Sequence, residues 1–380
     1  MADDPAIAFL RDLVAIDSVN PSLAPGARGE ADAARRVAAE CEAAGFEVHV
    51  TEVAPGRPNV VAILEGRAPG RSLMLCGHTD TVGVAGMERP FEPAIRDGRL
   101  YGRGSQDMKG GLAAMISAAR CIAHGGGLPA GRLIVAAVVD EEHASLGADA
   151  LVARWRADAA VVTEPTDLDV AVAHKGFQWV DVEVRGRAAH GSRPADGRDA
   201  ILHMGRVLAR LESIDRGLRA GRAHPLLGVA SLHASVIAGG RERSSYPDRC
   251  ALQFERRTLP GEGPETGLRE VEAALRGLRD DDPEFAGEAR PVFGRDAYEV
   301  DPADPLPDAM IRAAVSAGAR PRRVGVSYWS DAAILGGAGI PTVLFGPGGA
   351  GLHSVEEYVR TDDVLCCRDA LAALVREFLR

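Results

Sequence analysis

Residues 73–111 read LMLCGHTDTVGVAGMERPFEPAIRDGRLYGRGSQDMKGG and decide the fold of this chain. The segment opens with the apolar run Leu73–Cys76, which predicts a buried strand. A glycine ends the run and is followed closely by His78 and Asp80. Because residues two apart in an extended backbone point to the same side, Asp80 is expected beside the His78 imidazole. A carboxylate in that place orients a metal-ligating histidine, so the pair predicts one edge of a metal site.

The composition is that of a globular chain with two domains. Its 380 residues are too many for one ordinary core, and 46% hydrophobic with 26% charged residues excludes a disordered chain. The formal net charge is -10 and no polybasic block is present, so neither nucleic acid nor an anionic membrane is an expected partner. The six cysteines form no C-x-x-C pair, and we see neither a signal peptide nor an apolar run of membrane-spanning length. A cytoplasmic location is therefore expected.

Apolar runs that end in acidic residues recur along the chain and predict an α/β fold. Leu133–Val139 is almost wholly apolar and leads into Glu141 and Glu142, and Ala159–Val162 leads into Glu164. Such runs are typical of strands that are covered on both faces by helices. When they alternate with helices, the functional residues gather at one edge of the sheet.

The pattern of the sequence changes near Lys175, which indicates an inserted domain. Val180–Val184 alternates between apolar and polar residues, as in a sheet with one solvated face. The covered pattern returns near Pro291. We therefore expect a catalytic domain built from residues 1–176 and 290–380, and a smaller α+β domain from residues 177–289.

Six histidine and acidic residues at predicted strand ends or turns form the candidate site: His78, Asp107, Glu141, Glu142, Glu164 and His353. Buried carboxylates are costly unless a positive charge lies among them, and no lysine or arginine run accompanies these. A bound cation is therefore expected. Imidazole and carboxylate ligands together favour zinc, and cobalt or manganese fits the same ligands. The set is large enough for two ions that share one carboxylate.

Glu141 and Glu142 are neighbours, and neighbours in a regular strand point in opposite directions. Both can serve one site only if the strand has already ended before them. One could then ligate a metal while the other acts as a base on a metal-activated water. Taken alone, the pair also fits two solvated glutamates at a strand end.

Seven segments of the chain resemble the M20 family of metallohydrolases, which includes acetylornithine deacetylase, succinyl-diaminopimelate desuccinylase, aminoacylase and glutamate carboxypeptidase. In order, they are GHTDTV, GRLYGRGSQDMKGG, VVDEEHASLGA, VVTEPT, AAHGSRPADGRDAI, RSSYPDRCALQFERRTLPGE and GPGGAGLHSVEEYV. They extend over nearly the whole chain. The resemblance implies a zinc-bearing α/β domain with a mixed sheet flanked by helices. It also implies an inserted α+β lid domain through which the protein forms a homodimer.

The resemblance further implies two divalent metal ions and a role for each site residue. The implied ligands are His78 and Glu164 for one ion, Glu142 and His353 for the other, and Asp107 as a bridge between them. Glu141 is implied to be the general base and Asp80 the residue that orients His78. A cis peptide bond is expected after Asp107.

Three residues are expected to contact the substrate. His190 resembles a histidine that reaches a substrate oxygen, in relatives across the dimer. Arg257 resembles the arginine that grips a substrate carboxylate, a bidentate contact that lysine cannot make. Gly348 begins a turn that is expected to line the pocket. Ser244 departs from the family, whose members often carry an asparagine shortly before the proline of the YPD segment.

The implied activity is hydrolysis of the amide bond of an N-acyl amino acid by a water that two metal ions activate. Glutamate rather than aspartate at position 164 favours deacylases and carboxypeptidases over aminopeptidases. The alternative within the family is a dipeptidase or carboxypeptidase acting on small peptides. The alternative from another class is a metal-binding scaffold protein without activity, against which the intact Glu141 argues.

Overall fold

The apolar runs of the sequence form buried strands in the computed structural model, which describes residues 4–380. The helices are α1 Pro5–Val14, α2 Ala31–Ala43, α3 Gly110–His124, α4 Leu146–Arg154, α5 Ala200–Ala220, α6 Thr266–Asp281, α7 Leu306–Ser316, α8 Ala332–Gly337 and α9 Thr361–Phe378. The strands are β1 Glu47–Ala54, β2 Arg57–Glu65, β3 Ser72–His78, β4 Ala94–Arg96, β5 Arg99–Tyr101, β6 Arg132–Val138, β7 Ala159–Val162, β8 Val170–His174, β9 Gly176–Arg185, β10 Ser231–Gly239, β11 Arg249–Thr258, β12 Ala286–Arg295, β13 Tyr298–Glu299, β14 Arg323–Val326, β15 Thr342–Leu344, β16 Gly349–Ala350 and β17 Tyr358–Arg360. Across residues 4–380, none of the helices has the length and hydropathy that a membrane span requires.

The chain divides into two compact units. The first contains the residues up to Val172 together with Val300–Val324 and Ser330–Arg380, and the second contains Ala173–Glu299 and Gly325–Trp329. The expected end of the inserted domain at residue 289 falls inside β12. Residues of β12 as far as Arg295 pair with β9, so a boundary at residue 289 would cut a strand in two. The corresponding segment of the second unit extends to Glu299.

A mixed sheet forms the centre of the first unit, as the α/β prediction required. Its strand order is β1-β2-β6-β3-β7-β15-β8. Strand β3 lies parallel to both β6 and β7, whereas β1, β2 and β6 pair in antiparallel fashion. The central strands are buried because helices flank the sheet; α3 packs against β3 and β6, and α2 against β2.

A small antiparallel sheet in the first unit was not predicted. Its strand order is β16-β17-β5-β4, and Tyr101 at the end of β5 pairs with Tyr358 of β17. None of its strands exceeds three residues, which is too short to give an alternating pattern. The sheet brings residues 349–360 beside the segment that leads from Tyr101 into Asp107.

The second unit contains a four-stranded antiparallel sheet with the order β10-β11-β9-β12. The alternation predicted in β9 is confirmed, since Val180, Val182 and Val184 are buried in a core with side chains of α5 and α6. The intervening residues, including Asp181, lie on the opposite face of the strand. The unit is thus an α+β domain with helices on one face of its sheet.

Gly111 gives a test of how closely α3 approaches the sheet. A Cβ atom at this position would overlap with the main-chain carbonyl oxygen of Thr163, just after β7. We predict that Gly111→Ala lowers the free energy of unfolding by about 1–3 kcal/mol, because the helix must move away from the sheet. Thermal or urea-induced unfolding measures this change.

Gly337→Ala is the matched control for this prediction. Gly337 also lies in a helix of the first unit, but a Cβ atom there meets nothing within 4 Å. The free energy of unfolding of the Gly337→Ala variant should therefore stay close to that of the unmodified protein. Equal stability of the two variants would contradict the close contact between α3 and residue 163.

Candidate metal centre

The parallel pairing of β6, β3 and β7 brings three of the predicted segments to one edge of the sheet. His78 is the last residue of β3 and pairs in register with Val138, and Cys76 pairs with Val162. The acidic residues that follow β6 and β7 therefore emerge beside His78. Strand β6 ends at Val138, and Asp140 has a φ of 71°, which turns the chain out of the strand. Glu141 and Glu142 therefore follow a turn. The strand has ended before them, which is the condition under which both side chains can serve one site.

The structure brings all six predicted residues together. His78 Nε2 lies 3.2 Å from Asp107 Oδ1, 3.8 Å from Glu141 Oε2 and 3.9 Å from Glu164 Oε1. His353 Nε2 lies 3.3 Å from Asp107 Oδ2 and 3.2 Å from Glu142 Oε2. The two oxygens of Asp107 thus face different histidines, which is the arrangement expected of a bridging carboxylate.

Possible ligand atoms also gather into two compact groups that share His78. In one group, an atom each from His78, Glu141 and Glu164 lie within 4.8 Å of one another, and the other group consists of His78, Asp107 and Glu142. Glu141 and Glu164 are almost equally distant from His78. Both carboxylates are therefore close enough to His78 to share an ion with it.

The donor set fits a pair of divalent cations. Within residues 4–380, Glu142 and Glu164 each have a buried Oε1 atom without a hydrogen-bond partner. The ion pairs of Asp107 and of the three glutamates over the same residues are with His78 or His353, never with lysine or arginine. Buried carboxylate oxygens without donors are unfavourable, and metal ions remove this penalty. Carboxylate and imidazole together are the ligands that zinc, cobalt and manganese accept.

The electrostatics of the protein without metal show the same excess of negative charge. Burial and the charge of Glu164 raise the pKa of Glu141 well above its usual range. Burial and the Asp107 charge raise the pKa of Glu142 to about 7. Hydrogen bonds to Asp107 and Glu142 raise the pKa of His353 to about 10. Burial disfavours the Asp107 carboxylate, but hydrogen bonds from His353 and His78 outweigh it and lower the pKa of Asp107.

Asp80 lies beside His78 as expected, but its contacts differ from the prediction. His78 Nδ1 is 2.9 Å from the main-chain oxygen of Asp80 and 3.4 Å from its carboxylate, so the closer contact is with the backbone. The buried carboxylate instead accepts hydrogen bonds from the main-chain N–H groups of Glu141, at 3.2 Å, and Glu142, at 3.1 Å. Asp80 therefore fixes both the imidazole and the peptide that carries the two glutamates.

A buried network behind Asp80 was missed by the sequence analysis. Asn20 donates from Nδ2 to Asp80, at 2.8 Å, and to Asp140, at 3.1 Å. Arg57 forms ion pairs with Asp140, at 2.8 Å, and with Glu30. These contacts join residues that are far apart in sequence and have no shared spacing, so no local pattern could have identified them.

Glu357 holds the loop that carries Asp107, and it too was missed. Its buried carboxylate accepts hydrogen bonds from the main-chain N–H groups of Gly104, at 3.0 Å, Gln106, at 2.9 Å, and Asp107, at 3.1 Å. Arg103 donates to the same carboxylate at 2.7 Å. The peptide bond between Asp107 and Met108 is cis, as the family resemblance implied.

Of the three residues expected to contact substrate, two belong to the second unit and one to the first. In the second unit, His190 is exposed, with Nδ1 2.8 Å from the Ser192 hydroxyl, and Arg257 is partly exposed and donates from Nε to Glu255 at 2.6 Å. Gly348 is buried in the first unit, and a Cβ atom there would overlap with the Arg360 side chain. The close approach of the Arg360 side chain explains why a glycine occupies position 348. The contact of Gly348 with substrate stays a prediction.

Known proteins are similar to this chain in sequence and in fold. The sequence profile of Peptidase family M20/M25/M40 matches residues 74–377. The acetylornithine deacetylase of Myxococcus xanthus is 33% identical over 90% of this chain and 90% of its own length. The N-formyl-4-amino-5-aminomethyl-2-methylpyrimidine deformylase of Halalkalibacterium halodurans is 30% identical over 98% of this chain and 94% of its own. The crystal structure of aminopeptidase PepT from Bacillus cereus superposes with a TM-score of 0.82 at 21% identity, covering 99% of this chain and 98% of that one.

Metal uptake should release protons, and metal affinity should rise with pH. Without metal, Glu142 and His353 have pKa values of about 7 and about 10, so at neutral pH protons occupy ligand positions that a cation must take over. Raising the pH removes this competition, and the dissociation constant for Zn²⁺ should fall between pH 6 and pH 8. Titration calorimetry in two buffers of different ionisation enthalpy measures the released protons.

His353→Ala is the control for this prediction. The variant removes the histidine whose proton is displaced, and it should release fewer protons for each ion bound. Zn²⁺ affinity that is independent of pH in the unmodified protein would contradict the charge balance described here.

Proposed function

The chain belongs to Peptidase family M20/M25/M40 and is a hydrolase, and from this premise we propose that it hydrolyses the amide bond of an N-acyl amino acid with the help of two divalent metal ions. The observation that supports the proposal most directly is the position of Asp107. Each of its carboxylate oxygens faces a different histidine, at 3.2 and 3.3 Å. A single carboxylate placed in this way suits two adjacent cations.

The proposed metal ligands are those that the family resemblance implied. His78 and Glu164 would hold one ion, Glu142 and His353 the other, and Asp107 would lie between the two. Zinc is the proposed metal because imidazole and carboxylate ligands are combined, and cobalt and manganese suit the same donors. When bound, two such ions lower the pKa of a water molecule and polarise a carbonyl group.

Glu141 is the proposed general base. It lies within the cluster, 3.8 Å from His78 Nε2, and its main-chain N–H is held by the Asp80 carboxylate. In this position its carboxylate takes a proton from the attacking water and returns it to the leaving nitrogen. Two further roles are proposed for the second unit: Arg257 binds the substrate carboxylate, and His190 stabilises negative charge on the acyl oxygen.

The names of the two relatives support an acyl group as the part that is removed. One is called a deacetylase and the other a deformylase, and both names describe release of a small acyl group from a nitrogen. The test is a panel of N-formyl, N-acetyl and N-succinyl amino acids and unmodified dipeptides, incubated with protein loaded with Zn²⁺, Co²⁺ or Mn²⁺. Release of the free amine from the acyl compounds is expected. Cleavage of dipeptides alone would favour a dipeptidase, and no cleavage with any metal would contradict the proposal.

Glu141→Gln should lower kcat on the best acyl substrate by roughly 10²–10⁴-fold, since the base that moves the proton is lost. The metal content should stay at two ions per chain, because Glu141 is not a proposed ligand. Steady-state kinetics and elemental analysis of the same sample measure the two quantities.

Glu142→Gln is the matched variant at the neighbouring position. Because Glu142 is a proposed ligand that lies 3.2 Å from His353, its loss should reduce the metal content as well as the rate. If Glu141→Gln turned over at nearly the normal rate, or if it lost metal as Glu142→Gln does, the assigned roles would be wrong.

We also propose that the protein forms a homodimer through the second unit. Strand β10 is at an edge of its sheet and exposes Val236 and Ile237, whose surfaces are 54% and 52% accessible. The neighbouring helix α5 exposes Leu202, which is 70% accessible. An edge strand with apolar side chains is a template for pairing with another strand, and burial in a dimer removes this exposure.

Replacing Leu202 and Ile237 together by glutamate should convert the dimer into a monomer, because the introduced charges would be buried at the interface. Size-exclusion chromatography with light scattering measures the mass. Val315→Glu is the control, since Val315 is 57% accessible but lies on α7 of the first unit. A monomeric unmodified protein, or a double variant that remains dimeric, would contradict this interface.

A further inference from the structure

The second unit contains a cluster of aromatic rings beside Arg257. Phe177, Trp179 and Phe293 contact one another with ring centroids 5.1–5.9 Å apart. Trp329 meets Phe177 edge-on at 6.1 Å. These separations are typical of favourable aromatic pairs. Only 4% of the chain is aromatic, yet two of its three tryptophans lie here, so the cluster is a local concentration of rings.

The aromatic cluster lies on the face of the sheet that the helices leave uncovered. Phe177 and Trp179 are two apart in β9 and share one face, while Val180 and Val182 on the other face pack into the core with α5 and α6. Trp179 remains 37% accessible, and Phe293 is only partly buried. Trp179 and Phe293 are therefore available to a ligand, whereas Phe177 is buried and packs against both of them.

Two arginines lie beside the aromatic cluster, and a lysine lies near one of them. The Arg257 guanidinium lies 5.6 Å from the Phe177 ring centroid, and that of Arg295 lies 5.3 Å from the Phe293 centroid. Lys175 is close enough to Arg257 that the arginine charge, after burial, lowers the pKa of the lysine. In a chain with a formal net charge of -10, this group of cations suits an anionic ligand.

Glu255 holds Arg257 in a defined orientation. Its carboxylate accepts hydrogen bonds from Arg257 Nε at 2.6 Å and from Trp179 Nε1 at 2.9 Å. Across residues 4–380, no group accepts a hydrogen bond from either terminal nitrogen of Arg257. Those two nitrogens are available for a carboxylate, and Glu255 fixes the guanidinium and the indole in one arrangement.

We propose that this face binds a carboxylate that carries an aromatic ring, with Arg257 on the carboxylate, Trp179 and Phe293 against the ring, and the buried Phe177 supporting these two side chains. As an assignment of substrate it rests on the proposed function, and it specifies an N-acyl amino acid with an aromatic side chain or acyl group. Glu255 is a positioning residue that orients Arg257 and Trp179. The aromatic side chains favour aromatic over aliphatic substrates, and Arg257 binds the carboxylate of either kind.

The first experiment measures binding of 3-phenylpropionate and 3-cyclohexylpropionate to the metal-loaded protein by titration calorimetry. The two probes have the same charge and similar size, so any contact of their carboxylates with metal affects both alike. The aromatic probe should bind roughly two- to tenfold more tightly, the range expected for an aromatic pair beyond simple burial. Equal affinities would overturn the proposal.

Variants identify the residues that produce the preference. Trp179→Leu should bring the ratio of the two dissociation constants close to one, and Phe293→Leu should also lower it, which keeps the test valid if one variant does not fold. Trp155→Leu is the matched control, because Trp155 lies in the first unit against His49. Arg257→Met should weaken both probes equally and leave their ratio unchanged. A ratio that survives both Trp179→Leu and Phe293→Leu would overturn the proposal.

Kinetics separate this inference from the proposed function. With N-acetylphenylalanine and N-acetylleucine, the preference in kcat/KM for the aromatic substrate should disappear in Trp179→Leu but remain in Trp155→Leu. Hydrolysis of both substrates without a preference would overturn the inference and leave the proposed function in place. The opposite result would be selective binding of 3-phenylpropionate that is lost in Trp179→Leu, together with no hydrolysis of any acyl amino acid. That result would support the aromatic binding face and contradict the proposed function.

Discussion

The concentration of buried negative charge at one edge of the central sheet is the constraint on which the rest of this structure depends. Asp107, Glu142 and Glu164 are removed from bulk water, and the ion pairs described for them are to histidines alone. Such an arrangement is unfavourable unless cations are present, so the folded protein is a preformed receptor for metal ions. The strand ends and loops around the edge serve to hold these carboxylates in place.

Hydrogen-bond donors distinguish the two kinds of buried carboxylate around this edge. Asp80 and Glu357 accept hydrogen bonds from main-chain N–H groups, and each has a further side-chain donor, Asn20 for Asp80 and Arg103 for Glu357. Their charge is therefore satisfied by the protein, and they act as fixed supports for the neighbouring loops. Among residues 4–380, the carboxylates of the candidate centre accept no main-chain hydrogen bond, and the side-chain donors beside them are the imidazoles of His78 and His353. Main-chain donors thus separate the supporting carboxylates from those of the candidate centre, even though all are acidic residues with little exposure to solvent.

The sequence predicted the parts of the centre that depend on local pattern. Leu73–Cys76 and Leu133–Val139 are apolar runs, and such runs reveal buried strands and the polar residues that follow them. Asn20 and Glu357 could not be predicted, because their roles arise only when distant segments meet in the folded chain. The extent of β12 could not be predicted for a similar reason. Strand β12 contains a proline and several exposed residues, so its pairing with β9, rather than its own pattern, defines it as a strand.

The position of Asp107 between His78 and His353 has a consequence for the stability of the chain as a whole. His78 comes from the N-terminal part of the first unit and His353 from its C-terminal part, so two bound ions would join these parts as a non-covalent cross-link. Ligands that bind only the folded state stabilise it by mass action, by about 4 kcal/mol when the free ion is present at 1,000 times its dissociation constant. The resistance of this enzyme to heat and proteolysis would then follow the supply of metal in its surroundings, and scarcity of the ion would shorten the lifetime of the protein as well as reduce its activity.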